Sequence, residues 1–535
     1  MPRIAGLLTA LWVLSIHTYS QTTQQNAYAD AFTSSNLPIL VIQTNNNQAI
    51  VDDPKTSAHL GIIYNGLSQH NQLTDAYNHF DGSIGIELRG NSSQNLPKKP
   101  YNFETRSSQG ANLNVPLLGM PAENDWCLIA SYLDHTFARN LLATHMSRQA
   151  GRWASRGRLV EVVINNQYQG IYILMEKIKR DSCRLDIANL TPDEIAYPDY
   201  TGGYIYEITG FESNMGQSRL LKYPDNPTSV QMEYIRKYDD DFRNAMRSTN
   251  WKDENTGYAW WIDTESFIDE MMVQEALRNS DAYGWSAYFH KDKKGKLKAG
   301  PVWDFDQSSG NSSYPDNGVV NGWLFSHTAT NNTPFFWRQL YSDPSFSYKL
   351  RRRWESLREG PYKTETLLAY VDSIANLLSE AQEREFARWP VLGMNIWRET
   401  YGYQDRNTYK KEVDYLKTFL NQRWAWMDTE LAKNIYSSVQ PVPLAGNPSE
   451  QINVYPNPAK EFVILDIETP KSGLAIIEIY DLSGRLVQIS AQHELSPGNN
   501  SLQLYFHGKL IPGIYFFKII VDKEARYVGR LVKVE

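Results

Sequence analysis

From Asn279 to Asn311 the chain reads NSDAYGWSAYFHKDKKGKLKAGPVWDFDQSSGN. Asp281 lies on a loop rich in glycine and aromatic residues after a helical pattern, and Asp304 and Asp306 end an apolar strand pattern. Asp304 follows Asp281 by 23 residues, which leaves room for a loop, two strands and a turn that return it to the same cleft. Because carboxylates so placed commonly hold a divalent cation and accept a proton, the stretch predicts an enzyme rather than a structural protein.

Upstream of this stretch, many segments have the alternation and length of β-strands. They are LPILVIQT (Leu37 to Thr44), SIGIELRG (Ser83 to Gly90), YNFET (Tyr101 to Thr105), RLVEVVIN (Arg158 to Asn165), GIYILMEKI (Gly170 to Ile178) and GGYIYEI (Gly202 to Ile208). Between them DHTFARNLLATHMSRQ has helical periodicity from Asp134 to Gln149, with Asp134 as the expected N-cap. The pattern predicts a mostly antiparallel sheet with a helix packed against it.

The helical patterns gather in the second half of the chain. ESFIDEMMVQEALRN, from Glu265 to Asn279, predicts a helix that runs into the acidic loop. Two more helices are predicted by apolar residues at helical spacing: Leu367, Val371, Ile374 and Leu378, and then Val413, Leu416, Leu420, Trp424 and Met427. A β-rich lobe followed by an α-rich lobe, with the acids at the junction, predicts an α+β fold with a cleft between two lobes.

The C-terminal residues predict a separate domain. SSVQPVPLAGNPSEQ, at residues 437–451, is rich in Pro, Ser and Gly and predicts a linker. Residues 453–535 contain the short strand patterns FVILDI, LAIIEIYD, RLVQIS, SLQLYF, GIYFFKIIVD and ARYVGRLVKV, separated by turn signals. These strands predict a small all-β sandwich.

Composition narrows the classes of function. A chain of 535 residues is too long for one core, so two or three domains are expected. The net charge of −7 comes without a sustained basic stripe, and we therefore expect no nucleic-acid partner. The 15 Trp and 33 Tyr residues could bind sugars on surface loops, but we favour core packing for most of them.

The N-terminus has the pattern of a signal peptide, predicted at residues 1–20. Arg3 supplies the basic region, Ile4 to Ile16 the apolar run, and Thr18 to Ser20 the small residues of a cleavage site. The run is shorter than the roughly 20 apolar residues that span a bilayer, and no later segment is long enough, so we expect export and no transmembrane segment. A buried N-terminal helix is the alternative.

The cysteines leave two alternatives open. Cys127 and Cys183 are the two cysteines of the chain. They could form one disulfide in an oxidising compartment or remain two buried thiols. No cluster of Cys and His predicts a zinc site.

Five motifs in order resemble the CotH family, which is named for a spore-coat kinase and is distantly protein-kinase-like. They are LRGNSSQNLPKKPYNFE (Leu88 to Glu104), LLGMPAENDWCLIASYLDHTFARN (Leu117 to Asn140), VEVVINNQYQGIYILMEKIKRD (Val160 to Asp181), NSDAYGWSAYFHKD (Asn279 to Asp292) and GPVWDFDQSSGN (Gly300 to Asn311). The resemblance covers residues 37–431 and implies a two-lobed, atypical protein-kinase-like domain that uses ATP with Mg²⁺ or Mn²⁺.

The C-terminal segment resembles a type IX secretion sorting domain. The matching motifs are VYPNP (Val454 to Pro458), IYDLSGRLV (Ile479 to Val487) and PGIYF (Pro512 to Phe516). This resemblance implies passage across the outer membrane by the type IX secretion machinery, and then release or anchoring at the cell surface. A generic adhesive sandwich would share the strands but not these motifs.

The CotH resemblance implies roles for the three acids. Asp281 is the implied catalytic carboxylate, which accepts or orients the proton of the acceptor hydroxyl. Asp304 is the implied Mg²⁺ ligand, and Asp306 is either a second ligand or the cap of the following turn. Where a protein kinase has an Asn five residues after the catalytic Asp, this chain has Ser286. Because a hydroxyl is a weaker metal ligand than an Asn carbonyl, the binding of a second metal ion is in doubt. Asp306 could replace the missing ligand.

The nucleotide contacts are expected from the β-rich half. Arg89 and the turn through Ser92 resemble a phosphate-facing loop, with Lys98 and Lys99 behind it as alternative phosphate contacts. Glu176, at the end of a strand, is expected at the hinge that meets adenine, although it could equally pair with a neighbouring cation.

These implications together predict an exported kinase that phosphorylates a hydroxyl, with Ser or Thr of a surface or secreted protein as the expected acceptor. One alternative is an inactive CotH-like binding or adhesion module, which Ser286 favours. A second alternative is a carbohydrate-active protein, since paired carboxylates also serve glycosidases, but the basic RGNSS–KK element has no obvious role there.

Overall fold

The computed structural model of the chain describes residues 32–213, 216–253, 255–314, 318–326, 333–397, 399–437, 452–482, 486–490, 492–506, 510–522 and 524–534. The predicted signal peptide and, apart from its first residue, the predicted linker at 437–451 lie outside them. The chain divides into a unit that ends at Glu430 and a unit that begins at Leu431. The mixed α+β class and the all-β C-terminal region are confirmed, whereas the two-lobed kinase-like arrangement stays a prediction.

Seven of the eleven strands described within residues 32–176 close into a barrel. The strands within residues 32–176 are β1 (Ser34–Ser35), β2 (Ile39–Thr44), β3 (Thr56–Ile63), β4 (Asn71–Gln72), β5 (Phe80–Leu88), β6 (Tyr101–Arg106), β7 (Val115–Leu117), β8 (Met120–Glu123), β9 (Asp125–Ile129), β10 (Gly157–Ile164) and β11 (Gln167–Glu176). Seven of them close in the order β10-β11-β9-β6-β5-β3-β2. Neighbouring strands are antiparallel except β10 and β2, which are parallel and complete the circle. The predicted sheet is therefore a barrel, because its last strand returns to its first.

The barrel interior is apolar. Along β6 every second residue is buried, as expected for a strand with one face on a core. Phe103, Trp126 and Tyr172, from three neighbouring strands, are among the largest fully buried side chains and belong to one hydrophobic cluster. Burial of these aromatic side chains and of the aliphatic side chains around them stabilises this part of the fold.

A separate four-stranded sheet positions the acidic residues. It contains β12 (Tyr204–Ser213), β13 (Gly216–Tyr223), β14 (Trp285–Lys291) and β15 (Leu297–Ala299), in the order β13-β12-β14-β15. β14 and β15 pair antiparallel, with Lys291 opposite Leu297. Because Asp281 precedes β14 and Asp304 follows β15, this hairpin returns the second acid toward the first, as their spacing predicts.

Four of the nine described helices, α1, α4, α7 and α9, follow the predicted patterns, with one correction at the start of α1. Within the described residues they are α1 (Arg139–Gln149), α2 (Ser229–Arg247), α3 (Tyr258–Trp261), α4 (Thr264–Leu277), α5 (Phe335–Ser342), α6 (Pro344–Glu359), α7 (Thr364–Leu377), α8 (Ala381–Arg388) and α9 (Tyr409–Ser437). α1 begins at Arg139, and its N-cap is Ala138 rather than Asp134. Asp134 still accepts a hydrogen bond from the Arg139 backbone N–H, at 2.9 Å, and pairs with its guanidinium at 2.6 Å.

The second unit is a sandwich of two sheets. Its described strands are β16 (Asn453–Tyr455), β17 (Phe462–Thr469), β18 (Gly473–Tyr480), β19 (Leu486–Ile489), β20 (His493–Leu495), β21 (Gly498–Tyr505), β22 (Gly513–Val521) and β23 (Glu524–Lys533). One sheet has the order β16-β17-β21, and the other has β19-β18-β22-β23 with β20 paired to β18. Val463, Ile477 and Phe517, from both sheets, belong to one apolar cluster. The predicted sandwich is confirmed.

Two further sequence expectations concern thiols and membranes. Cys127 and Cys183 are both free, the first buried and the second exposed, so the two do not form a disulfide. The Cys127 thiol donates to Asn102 Oδ1 at 3.2 Å. Among the helices in the described part of the chain, none combines the length and the apolar character needed to cross a bilayer.

Candidate active site

Asp281 lies on a tight loop between α4 and β14. Arg278 ends the helix in a left-handed conformation, φ 46°, with its N–H directed to the carbonyls of the last turn. Tyr283, also left-handed at φ 69°, donates its hydroxyl to the buried Glu275 carboxylate at 2.9 Å. The Trp285 N–H donates to the Asp281 carbonyl at 3.0 Å and closes the loop. The backbone on both sides of Asp281 is therefore held by hydrogen bonds, and Asp281 itself is half-buried.

Asp304 and Asp306 lie on the loop that follows β15. Both side chains are half-buried, and Phe305 between them is fully buried. Asp304 has a left-handed backbone, φ 64°, which is uncommon for a residue other than glycine. The Ser286 hydroxyl donates to Asp304 Oδ2 at 3.2 Å. Ser286 thus contacts the predicted metal acid, although it replaces the expected Asn.

Electrostatic effects show that the three acids share one neighbourhood. Burial raises the pKa of Asp306 well above its ordinary value, and the negative charges of Asp304, Asp281 and Asp134 raise it further. Burial also raises the pKa of Asp304, against the opposing effect of the Arg89 guanidinium. A cluster of like charges at the edge of the protein interior favours the binding of a cation.

Among the residues predicted to contact the nucleotide, Arg89 is the one whose charge acts on Asp304. Its guanidinium lies over the ring of Trp303, 5.4 Å from the ring centroid. Trp303 is the residue that precedes Asp304 in the chain. Gly90 has φ 88°, and a Cβ there would overlap the Ser93 hydroxyl, so this turn requires glycine. Ser92 is exposed and begins a 3₁₀ turn, Ser92–Asn95.

The two lysines make other contacts. Lys98 is fully buried, and its ammonium binds the Ile171 carbonyl at 2.5 Å and Glu385 Oε1 at 2.6 Å. The Lys99 ammonium donates to the Gln94 carbonyl at 2.7 Å, inside its own loop. A direct phosphate contact by either lysine stays a prediction. It is disfavoured, because both ammonium groups already donate hydrogen bonds within the protein.

Glu176 is paired with a cation, which was the alternative to a hinge role. It is fully buried and accepts two hydrogen bonds from the Arg156 guanidinium, at 2.7 and 2.9 Å, and one from the Arg156 backbone N–H at 2.8 Å. Its carboxylate oxygens are therefore engaged within the protein. Contact with adenine stays a prediction.

Several residues near the acids were not predicted as site residues. Asp134 raises the pKa of Asp306, and the Arg139 that pairs with Asp134 also donates from Nε to the Ser308 carbonyl at 3.0 Å. Glu207, on β12, raises the pKa of Asp304 and pairs with Lys222 at 3.0 Å. Asp134 and Arg139 lie in the quoted DHTFARN motif, so the signal was present, but Glu207 has no signal in an ordinary strand pattern.

The donor set fits a hard divalent cation. Within the described ranges, no three side chains of His, Cys, Asp or Glu are grouped as a metal site. Mg²⁺, however, usually takes only one or two carboxylates and fills its shell with water and phosphate oxygens. The neighbouring carboxylates of Asp304 and Asp306 match that requirement.

Comparison with known proteins gives two family matches. A family model described as CotH kinase protein matches residues 86–427, more than half of the chain, and one described as secretion system C-terminal sorting domain matches residues 453–534. No curated protein matches the chain. A solved structure of Pseudomonas fluorescens alkylpurine DNA glycosylase AlkC, bound to DNA containing an abasic site analog, is similar at 12% identity. That similarity covers 38% of this chain and 66% of the glycosylase with a TM-score of 0.13, which is too low to support any argument.

Proposed function

This chain belongs to the CotH kinase protein family, and we propose that it acts as an exported kinase that transfers the γ-phosphate of ATP to a hydroxyl group. The sorting domain directs the protein to the cell surface or the medium and implies contact with the secretion machinery. Ser and Thr hydroxyls of a surface or secreted protein are the acceptors that we propose.

The observation that carries the proposal is the convergence of Asp281, Asp304 and Asp306 beside Arg89. Phosphoryl transfer needs a carboxylate at the attacking hydroxyl, a cation on the phosphates and positive charge near their oxygens. Two separate loops, before β14 and after β15, bring these side chains into mutual electrostatic contact. The negative charges of Asp304 and Asp281 raise the pKa of Asp306, so positive charge is favoured where the three acids meet.

Each residue has a proposed part in the transfer. The acceptor oxygen attacks the γ-phosphorus while the bond from phosphorus to the β,γ-bridging oxygen breaks, and ADP leaves with the electron pair. Asp281 accepts the proton of the attacking hydroxyl. Arg89 faces the phosphate oxygens and neutralises part of their charge. Asp304, with Asp306, would hold Mg²⁺, which supplies charge neutralisation on the β- and γ-phosphates when bound.

The test is label transfer from γ-labelled ATP by the purified mature protein, with Mg²⁺ or Mn²⁺, to itself and to a generic protein acceptor. Asp281→Asn and Asp304→Asn should each reduce transfer by at least about 10³-fold, because each removes a group needed in the transition state. Asp81→Asn, a change at an exposed position at the start of β5, whereas Arg89 follows the other end of that strand, is the matched control and should leave transfer unchanged. Equal transfer by all four proteins would overturn the proposal.

A second candidate is a surface module that binds nucleotide without turnover. Ser286 favours it, because a hydroxyl is a weaker metal ligand than an Asn carbonyl, and this hydroxyl already donates to Asp304. Metal-dependent ATP binding that is lost in Asp304→Asn, with no label transfer by the unmodified protein, would support this candidate over the kinase.

A further inference from the structure

The peptide group that follows Asp304 is held at both ends by side-chain amides from two different segments. Asn140 Oδ1, in the first turn of α1, accepts the Phe305 N–H at 2.8 Å. Asn279 Nδ2, at the end of α4, donates to the Asp304 carbonyl at 3.2 Å. The Asp304 C=O and the Phe305 N–H belong to a single peptide unit, so the two amides fix the orientation of its plane.

This peptide needs to be held, because Asp304 is left-handed. A non-glycine residue at φ 64° is less stable than in the usual regions and persists only where its surroundings impose it. Rotation of this peptide would change the direction in which the Asp304 carboxylate leaves the backbone. Both amides are buried, which strengthens the hydrogen bonds and makes their loss costly.

Asn279 also reaches the other acid. Its Oδ1 accepts the Asp281 N–H at 3.4 Å, and the second hydrogen of its Nδ2 is directed to Gln274 Oε1 at 3.1 Å. One side chain therefore contacts the backbone of both Asp281 and Asp304. The direction of each amide is unambiguous, since a backbone N–H can only donate and a carbonyl can only accept.

We infer that Asn140 and Asn279 are positioning residues that set Asp304 for metal binding and fix its place relative to Asp281. The inference rests on the proposed function, in which Asp304 is the metal acid. The two residues act from opposite sides and with opposite hydrogen-bonding roles. Asn140 serves as an acceptor, and Asn279 serves toward Asp304 as a donor.

The opposite roles give a matched pair of variants. Asn140→Asp keeps an acceptor oxygen and should retain the contact, whereas Asn279→Asp replaces the donor with a carboxylate oxygen and breaks it. Each adds one formal negative charge to the same neighbourhood. A charge effect alone would move both variants alike. Asn71→Asp is the stability control, because Asn71 is fully buried and its amide likewise donates to a backbone carbonyl, that of Leu37 at 2.8 Å, away from the acids.

The measurement is Mn²⁺ affinity by electron paramagnetic resonance, with and without a non-hydrolysable ATP analogue, beside Tm and steady-state label transfer. Asn279→Asp should weaken Mn²⁺ binding at least tenfold and lower kcat more than it raises the KM for ATP. Asn140→Asp should stay within threefold of the unmodified protein. Asn71→Asp should lower Tm without any change in Mn²⁺ affinity.

Each outcome decides the inference. Equal Mn²⁺ affinity in Asn140→Asp and Asn279→Asp, or a loss in Asn279→Asp that Asn71→Asp reproduces, would overturn it. Mn²⁺ binding with this pattern but without label transfer in the unmodified protein would uphold the positioning role and overturn the kinase. Absence of Mn²⁺ binding by the unmodified protein would overturn both.

Discussion

The interior of the β-barrel and the acidic junction around Asp304 are held together by different forces. In the barrel, buried aromatic and aliphatic side chains pack on one another, and the strand backbones are satisfied by their neighbours. At the junction, irregular backbone is held by side chains, such as the amides of Asn140 and Asn279 and the guanidinium of Arg139.

This difference predicts different consequences of mutation. Removal of a barrel side chain leaves a cavity and costs stability, while the site keeps its geometry in the molecules that fold. Removal of a polar side chain at the junction loosens irregular backbone without opening a cavity in the apolar core, so function should fall before stability does. Four experiments can break or sharpen this contrast.

The largest effect is expected for Trp126→Ala, in the barrel. Trp126 is fully buried, and its indole N–H donates to the Glu123 carbonyl at 3.0 Å. We expect the free energy of unfolding to fall by about 4 kcal/mol, by loss of burial and creation of a cavity. Urea denaturation measures it, with Trp126→Phe as the milder control. Transfer activity per folded molecule should be unchanged, and a selective loss of activity would break the contrast.

Lys98→Met tests whether this lysine belongs to the barrel or to the site. The substitution leaves the Glu385 carboxylate buried without its cation and should cost about 3 kcal/mol in unfolding free energy. Lys98→Met combined with Glu385→Gln should recover most of that loss. ATP affinity of the double variant, measured by calorimetry, should match the unmodified protein. A tenfold weaker affinity would instead place Lys98 on the phosphates.

Glu270, buried in α4, should make stability depend on pH. Burial raises the pKa of Glu270 from 4.5 to about 7. Below pH 4.5 the group is protonated in both states, and between about 4.5 and 7 only the unfolded state ionises, so stability falls as pH rises through this window. Glu270→Gln should therefore stabilise the protein at pH 8 by on the order of 2 kcal/mol and flatten the pH dependence of Tm. An equal slope in both proteins would contradict the expectation.

The smallest effects separate Arg89 from Lys99, two of the three cations of the RGNSS–KK element. Arg89→Ala should weaken ATP binding about tenfold, or about 1.4 kcal/mol, because Arg89 lies beside Asp304. Lys99→Ala should change it less than about twofold, since the Lys99 ammonium is used by the Gln94 carbonyl. Calorimetric titration with the non-hydrolysable analogue measures both. A larger loss of ATP affinity in Lys99→Ala than in Arg89→Ala would instead assign the phosphate contact to Lys99.

Local sequence signals predicted a large part of the fold. Five of the six quoted strand segments form barrel strands, and the sixth forms β12. The helix that runs into the acidic loop appears as α4, with Asp263 as a cap that accepts the Ser266 N–H at 2.8 Å. Both family resemblances are confirmed, over residues 86–427 and 453–534. Such features depend on the periodicity and motifs of neighbouring residues, which a sequence displays directly.

The candidate site was predicted less completely. The convergence of Asp281 and Asp304 followed from their spacing, because an antiparallel hairpin brings the start of its first strand close to the end of its second. The partners of Lys98 and Glu176 did not follow, since a basic or acidic side chain on a strand gives no sign of which distant group it will meet. Glu385 lies 287 residues from Lys98 in the chain. The predicted start of α1 was wrong, because Asp134 is four residues before the N-cap Ala138. The Asp134 side chain nevertheless accepts the N–H of Arg139, the first residue of the helix.

The sequence by itself predicted five of the seven barrel strands, four of the described helices, the family and the export tail, and it predicted that the acids meet at one cleft. Tertiary structure alone decided that the sheet closes into a barrel, that Lys98 is buried against Glu385, and that the peptide after Asp304 is held from both sides. The reason is physical. Hydrophobic periodicity and turn chemistry act between neighbours, whereas hydrogen-bond and charge partners are chosen only when distant segments exclude water from one another.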